Sequence, residues 1–218
     1  MAVFAFLLID CDIQFMKKTI ASYFLAIIAL SILWTGCDDC GPEADKNYVY
    51  ELSSRAQGYV PYAIGDSFVM LDSVGNQLTY AVMTRGIAPV EDRENECSAL
   101  ETMDKLQVVM NKNLTANALT VSLQQMGKES EGAGSRLTVC IESACFSADL
   151  DSLGALKTGT SSGAISHNSL VVGNQNYLNV IELHRSNADS SQAHIVWYST
   201  QQGVLRYQKL NGEIWSLP

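Results

Sequence analysis

Apolar and polar residues alternate along most of the chain after Tyr48, a period of two that is typical of β-strands with one buried face. Leu78 and Tyr80 lie in a clear example, and Gly65–Leu71 is apolar on both faces, which indicates a strand buried on both sides. Tyr48–Leu52 is predicted to be a strand or an extended lead-in. Further strands are predicted over Leu106–Met110, Leu119–Leu123, Leu137–Ile141, Ser169–Val172, Tyr177–His184, Ile195–Ser199, Val204–Leu210 and Glu213–Leu217.

Turn signals lie between several of these strands. Gly75 within Ser73–Asn76 suits a turn position with positive φ, so Gly65–Met83 is predicted to be a hairpin. Asn211-Gly212 between two apolar strands is the strongest short hairpin signal in a sequence. The last two strands are therefore predicted to pair.

Three segments depart from the alternation. Ala88–Cys97 is acidic and contains a proline, which predicts a surface loop, and Asp149–Ser166 is rich in Gly, Ser and Thr, which predicts a long loop. Ser98 and Glu101 have the spacing of a capping box, which predicts a short helix that leads into the strand at Leu106.

The many short strands and scarce helix indicate a mainly β fold. The predicted architecture is an antiparallel sandwich, a barrel or a strongly curved sheet, with at most one or two short helices. Residues 47–218 have the length of one β-rich domain and can bury a substantial core.

The N-terminal segment has the order of a secretory signal. Lys17 and Lys18 precede the apolar run Ile20–Trp34, and small residues then lead into Cys37. A transmembrane helix or plain N-terminal anchor is the alternative, but spanning a bilayer needs about 20 apolar residues. We expect residues 1–36 to be a cleaved signal peptide.

Residues 1–15 contain a second apolar run, Val3–Ile9, which Asp10 and Asp12 separate from the first. Charges near the centre of a membrane-spanning helix are costly, so the two runs are not expected to form one span. We expect residues 1–15 to come from a misassigned upstream start and Met16 to be the initiator.

The small residues before the cysteine resemble the lipobox of bacterial lipoproteins, with Trp34 where that motif usually has leucine. The resemblance implies that Cys37 is lipidated and that residues 37–46 form a tether. A triacylated cysteine carries more than one acyl chain, which suffices for stable membrane attachment. Asp38 and Asp39 resemble the sorting signal that directs Bacteroidetes lipoproteins to the outer face of the outer membrane, although aspartate there resembles an inner-membrane retention signal in other lineages.

The net charge narrows the range of partners. The chain carries a formal net charge of −9 at pH 7. A nucleic-acid interface needs a basic patch, so nucleic acid is not expected as a partner. The expected partners are the membrane, through the lipid anchor, and an apolar ligand or an envelope protein.

Four cysteines remain after the signal and the lipidated cysteine are set aside. An even number in an exported protein favours disulfides. Cys140 and Cys145 flank a short loop, so a bridge across a hairpin is reasonable, and this would leave Cys40 to pair with Cys97. Free thiols and a metal site are the alternatives, but no paired CxxC motif supports a metal.

Two further stretches carry a family resemblance. Pro61–Phe68 with Asp72–Asn76, and the ending formed by Trp197–Ser199, Gly203–Tyr207 and Gly212–Leu217, resemble uncharacterised Bacteroidetes-type envelope lipoproteins. The ending also shows a faint similarity to curved-sheet lipoproteins of the LolA/LolB type. The resemblance implies an architecture and a location, and it supplies no catalytic residues.

Candidate chemistry is sparse in the sequence. His167, His184 and His194 match no metal-binding spacing and follow no nucleophile elbow, so they are predicted to be surface or strand-edge residues. We predict no catalytic residue, metal or cofactor.

Aromatic residues near the C-terminus give the one positive hint of a ligand site. Trp197, Tyr198, Tyr207 and Trp215 lie on adjacent predicted strands and are candidates for facing an apolar ligand or a sugar. Packing in the core or between strands is the alternative.

These observations together predict a membrane-anchored envelope lipoprotein with a non-catalytic binding or structural role. A secreted hydrolase with a site assembled from dispersed residues and a surface adhesion module are the alternatives. An adhesion module would show an exposed aromatic patch.

Overall fold

The computed structural model describes residues 42, 44–93, 95, 97–113, 116–126, 134–157, 163–186 and 189–218, without the side chains of residues 116 and 117. The chain divides into two compact units, Met1–Ala44 with Asn95–Ser98, and Asp45–Glu94 with Ala99–Pro218. In the first unit, the backbone N–H of Cys97 donates to Oδ1 of Asn95. The helix and strands described below lie in the second unit.

Within its described residues, the second unit contains one short helix, α1 (Ser54–Gln57), whose first turn is capped by a hydrogen bond from the backbone N–H of Ala56 to Oγ of Ser53. The strands are β1 (Asn47–Tyr50), β2 (Ser67–Asp72), β3 (Gln77–Asp92), β4 (Leu100–Lys112), β5 (Ala116–Gln125), β6 (Ser135–Ile141), β7 (Ala144–Leu150), β8 (Ala164–Val172), β9 (Gln175–His184), β10 (Ala193–Ser199), β11 (Gly203–Lys209) and β12 (Ile214–Ser216).

The strands form a single sheet that is nearly closed into a barrel. Its order is β7-β6-β5-β4-β3-β2-β12-β11-β10-β9-β8, and each pair of neighbours is antiparallel. β1 lies outside this path and runs parallel to the start of β4. The prediction of a mainly β fold with a barrel or strongly curved sheet is confirmed.

Alternate residues of the strands build the main core on the inner face of the sheet. β4, β5 and β6 each contribute three apolar side chains spaced two apart, because successive side chains in a strand point to opposite faces. These nine side chains are those of Leu106, Val108, Met110, Leu119, Val121, Leu123, Leu137, Val139 and Ile141. The strands predicted over Leu106–Met110, Leu119–Leu123 and Leu137–Ile141 are therefore confirmed.

A second, smaller cluster lies on the outer face of the last strands. It contains Val172, Tyr177, Val180, Trp197 and Leu205. Tyr177 and Val180 share this cluster although they are an odd number of residues apart, since Asn179 between them has a φ of 53° and breaks the alternation. The β8–β9 hairpin therefore folds onto the outer face.

The segment Leu52–Tyr62, called the strap below, packs its apolar residues into the main core. The guanidinium of Arg85 holds it by donating to the backbone carbonyls of Val60 at 2.7 Å, Tyr62 at 2.8 Å and Gln57 at 3.2 Å. One arginine side chain of β3 therefore donates to three backbone carbonyl groups of the strap.

The prediction of a surface loop at Ala88–Cys97 is wrong over its first half. β3 continues to Asp92, and Pro89 lies opposite Asp104 of β4. The pairing of β3 with β2 ends at Ala81, so the described sheet has no neighbour on that side of Pro89. A proline lacks an N–H donor and is tolerated where one side of a strand is an edge.

The prediction of a short helix at Ser98–Leu106 is also wrong. β4 already begins at Leu100, where the backbone N–H donates to the carbonyl of Lys46. Met103 pairs with Tyr50 of β1 on one side and with Val90 of β3 on the other. Strands on both sides supply the backbone partners that a helix would otherwise provide, and this outweighs the capping-box spacing.

The long loop predicted at Asp149–Ser166 is shorter than expected. β7 extends to Leu150 and β8 begins at Ala164. Between them, Oδ1 of Asp151 accepts hydrogen bonds from the backbone N–H groups of Leu153 and Ala155, at 2.8 and 2.9 Å. The start of this connection is thus an ordered turn, and residues 158–162 lie outside the described chain.

The predicted C-terminal hairpin is confirmed. Gly212 has a φ of 89°, and the turn that it forms with Asn211 joins β11 to β12. β12 pairs with β2, so the C-terminal strands lie beside the β2–β3 hairpin. In the residues that the structure describes, no helix has the length and apolar character needed to cross a membrane.

Candidate functional site

A polar cluster lies on the outer face of the last strands, and it is called the outer-face cluster below. Its members come from β8, β9, β10 and β11, and they are His167, Glu182, His184, Trp197 and Arg206. Glu182 lies between two inward residues of β9, Ile181 and Leu183, so its side chain points to the outer face. Strand pairing then places Trp197 beside Glu182.

The carboxylate of Glu182 accepts three hydrogen bonds from side chains of this cluster. Nε2 of His167 lies 2.7 Å from Oε2, and Nε2 of His184 lies 2.5 Å from Oε1. The indole N–H of Trp197 donates to Oε2 at 2.9 Å. A carboxylate only accepts hydrogen bonds, so each imidazole presents a protonated Nε2 to it.

These contacts follow from the period of two. His184 is two residues beyond Glu182 on β9 and therefore shares its face. His167 of β8 lies opposite Val180, which is two residues before Glu182. The sequence reasoning expected the histidines at the surface or at a strand edge, and it missed Glu182 because the register between β8 and β9 cannot be read from spacing.

Glu182 is held in its anionic form. Partial burial acts to raise its pKa, but the hydrogen bonds from His167, His184 and Trp197 outweigh the burial and lower the pKa below its usual value. The side chain is only 15% exposed. A carboxylate with a lowered pKa and three bonded donors is a weak proton acceptor, and its oxygens are already engaged.

Arg206 extends the cluster across β10. It lies opposite Trp197, and its Cζ lies 5.7 Å from the centroid of the tryptophan ring, within the range of a cation–π interaction. A β-bulge between the two strands places Leu205 on the same face, where it packs beside Trp197. Nε of Arg206 is buried and has no hydrogen-bond partner in the described chain. Two histidines and Trp197 thus bond a single carboxylate, and Arg206 lies over the tryptophan ring.

The four predicted ligand-facing aromatics do not share one face. Trp197 lies on the outer face of the sheet, in the smaller apolar cluster, whereas Tyr198, Tyr207 and Trp215 belong to the main core on the inner face. Trp197 and Tyr198 are adjacent in β10 and so must point to opposite sides of the sheet. The side chains of all four are buried.

The hydroxyl groups of the inner tyrosines bond to other parts of the chain. The hydroxyl of Tyr198 donates to the carbonyl of Tyr59 at 2.7 Å, and the hydroxyl oxygens of Tyr80 and Tyr207 lie 3.4 Å apart. Burial, the largest effect, raises the pKa of Tyr198 and of Tyr207. These tyrosines are therefore neutral packing groups whose polar ends are already bonded.

One of the predicted disulfides is confirmed. Cys140 and Cys145 are bonded across the β6–β7 hairpin, where they lie directly opposite each other. Cys97 is also disulfide-bonded. Cys40, the partner predicted for it, lies outside the described residues.

The predicted lipidation site, Cys37, and the predicted sorting residues, Asp38 and Asp39, also lie outside the described residues. Their roles stay predictions. Among the residues that are described, no group of three or more histidine, cysteine, aspartate or glutamate side chains could hold a metal ion.

Comparison of the chain with protein-family models, with curated proteins and with solved structures gives no match. The resemblance to envelope lipoproteins therefore rests on the sequence motifs alone.

Proposed function

We propose that the chain is a bacterial envelope lipoprotein, exported and anchored through acyl chains on Cys37, with its β-sheet unit acting as a non-catalytic binding module. The observation that carries the proposal is the cysteine placed directly after a basic, apolar and small-residue sequence. Asp38 and Asp39 favour the outer membrane as its location. The bridge between Cys140 and Cys145 supports export, because disulfides persist in oxidising compartments.

The outer-face cluster supports binding over catalysis. A hydrolase would need a nucleophile that a histidine can activate. Nε2 of His167 and of His184 is bonded to Glu182, and among the described residues no hydroxyl or thiol forms a hydrogen bond with either ring. The cluster instead fixes Trp197 and Arg206 in place, as expected of a rigid contact surface.

The location of the aromatics argues against two alternatives. Adhesion through an exposed aromatic patch does not suit Trp197, Tyr198, Tyr207 and Trp215, because all four are buried. An apolar ligand inside the sheet would have to replace the side chains of the strap, which fill the core beside Tyr198. The outer face is therefore the surface that we propose for an envelope protein partner.

The anchor is tested by replacing its attachment point. In Cys37→Ala, the full chain should move from the membrane fraction to the soluble fraction of the envelope, because no acyl chain can be attached. The double variant Cys140→Ala/Cys145→Ala is the matched control and should stay membrane-bound. Unchanged membrane partitioning of Cys37→Ala would rule out the anchor.

The non-catalytic role is tested at Glu182. Purified full-length protein and its Glu182→Gln variant should hydrolyse chromogenic acyl esters, glycosides and phosphate esters at the same background rate. A rate in the wild-type protein that the variant loses would establish the hydrolase alternative.

Native mass spectrometry of the same preparation tests whether the protein carries a non-covalently bound lipid, since a bound lipid would add a mass beyond the protein's own acyl chains.

A further inference from the structure

β1 and β4 begin side by side and run in the same direction. Asn47 lies opposite Leu100 at the start of their parallel pairing. The backbone N–H of Leu100 donates to the carbonyl of Lys46 at 3.0 Å, so the contact extends to the residue before β1. The chain therefore enters both strands from one end of the sheet, which is called the tether end below.

A cysteine precedes each of these two strands. Cys40 is seven residues before Asn47, and Cys97 is three residues before Leu100. Because an extended chain spans at most about 3.6 Å per residue, these segments reach about 25 Å and about 11 Å from the two strands. The two cysteines are therefore within reach of each other.

Cys97 has a disulfide partner elsewhere in the chain. It is exposed and disulfide-bonded. Cys140 and Cys145 are bonded to each other and are thereby excluded as partners. The remaining candidates are Cys11, Cys37 and Cys40.

We propose that Cys97 bonds Cys40 and that this disulfide holds the tether end of the sheet at the membrane surface, beside the acyl chains on Cys37. The inference rests on the proposed function, because lipidation engages the sulfur of Cys37 and cleavage of the signal removes Cys11. The two thiols lose two protons and two electrons as the bond forms. An oxidised disulfide carrier of the envelope takes them up and becomes a dithiol.

The bond shortens the link between the sheet and its anchor. Cys40 is three residues after Cys37, a reach of about 11 Å, and a disulfide joins Cα atoms about 6 Å apart. Cys97 is therefore held within about 17 Å of the anchored residue. Without the bond, the ten residues from Cys37 to Asn47 would alone join the sheet to the membrane, with a reach of about 36 Å. A second link at the same end also limits how far the sheet can tilt.

Charge does not account for this orientation. Glu91 and Asp92 at the end of β3 are exposed and acidic. The anionic headgroups of a membrane attract basic segments and repel acidic ones. The tether end would therefore move away from an anionic surface if the disulfide were absent, which makes the effect of the bond measurable.

The opposite end of the sheet then faces away from the membrane. β3 has 16 residues, which span about 50 Å, and the β2–β3 turn with Val74 lies at its far end. Neighbours along the path β3-β2-β12-β11-β10-β9 are antiparallel, so β9 runs opposite to β3 and ends at the far end as well. Glu182 and His184 lie at that end of β9. The outer-face cluster is thus presented to an envelope partner on the side away from the lipid.

Disulfide mapping of the natural protein tests the bond. The full chain is isolated from its own envelope with free thiols blocked, digested without reductant and analysed by mass spectrometry. We expect a peptide pair joined through Cys40 and Cys97, together with an acylated Cys37. An acylated Cys37 with a free Cys97 would overturn this inference and leave the anchor intact, whereas an unacylated Cys37 bonded to Cys97 would contradict both.

Energy transfer from the protein to the membrane tests the orientation. The acylated full chain carries a fluorophore at Glu91→Cys, near the tether end, or at Val74→Cys, in the far turn. It is inserted into vesicles of phosphatidylcholine and phosphatidylglycerol that contain a lipid with a rhodamine headgroup. Transfer should be several times stronger from position 91 than from position 74.

Removing the bond should reduce this difference. Adding Cys40→Ser/Cys97→Ser should bring the transfer from the two positions closer to equal. Cys140→Ser/Cys145→Ser is the matched control and should leave the difference unchanged, because that bond lies within the β6–β7 hairpin. Equal transfer from the two positions in the natural background, or a difference that Cys40→Ser/Cys97→Ser leaves unchanged, would overturn the orientation.

Discussion

Gly203 lies so close to Tyr62 that a Cβ atom at position 203 would be 1.9 Å from the tyrosine hydroxyl oxygen. The same hydroxyl oxygen accepts a 2.6 Å hydrogen bond from the backbone N–H of Val204. Gly203 also has a φ of 84°, a backbone conformation that residues other than glycine rarely adopt. The start of β11 and the end of the strap are therefore fitted to each other.

We predict that Gly203→Ala destabilises the protein by about 3 kcal/mol, because it combines a positive φ with a clash against the buried Tyr62. The measurement is denaturant-induced unfolding of the purified protein. Gly75→Ala is the matched control, since Gly75 has a φ of 89° and no atom within 4 Å of the added Cβ. Equal losses in the two variants would show that the contact with Tyr62 contributes nothing.

We predict that Arg85→Met loosens the strap, because the carbonyls of Gln57, Val60 and Tyr62 lose their charged donor. The opening free energy of the strap should fall by roughly 2–4 kcal/mol. Hydrogen exchange at the backbone amides of Gly58 and Tyr59 measures it. Arg136→Met, which removes a half-exposed partner of Asp149, should leave these amides unchanged.

We predict that Cys140→Ser/Cys145→Ser lowers the free energy of unfolding by about 2 kcal/mol, since the bridge closes a short loop in the unfolded chain. The fold should survive, because β6 and β7 pair along their whole length. Circular dichroism during denaturant titration gives both results. An unfolded double variant would mean that the bridge is needed for the hairpin to form.

The pH dependence of stability is predicted to report on Glu182. Its pKa in the folded protein is lowered from the usual 4.5, so the carboxylate stabilises the fold above pH 4.5 and loses that effect as the pH falls through the lowered pKa. The difference in unfolding free energy between wild type and Glu182→Gln should therefore shrink below pH 4.5. A difference that stays constant from pH 6 to pH 3 would contradict the three hydrogen bonds as the cause.

Local patterns in the sequence predicted most of the strands, and the reasons are visible at single residues. Gly212 follows Asn211 between two apolar runs, and only a tight turn accommodates that pair with its positive φ. At Pro89 the prediction was wrong. Proline lacks a backbone N–H donor, which indicated a loop, but the pairing of β3 with β2 ends at Ala81 and leaves that side of β3 without a neighbour in the described sheet.

The candidate site was less predictable, because its contacts join separate strands. Glu182 and His184 share a face of β9, which the period of two could have shown. His167 and Trp197 join them only through the register of β8 and β10 against β9. That register depends on packing across the sheet and on the break in alternation at Asn179.

The central claim is that the mature protein begins at a lipidated Cys37. The most direct measurement is intact-mass and N-terminal peptide mass spectrometry of the protein isolated from its own cells. The account predicts a chain that starts at Cys37 and carries acyl chains on that residue. A chain that still carries Met16, with an unmodified Cys37, would contradict it.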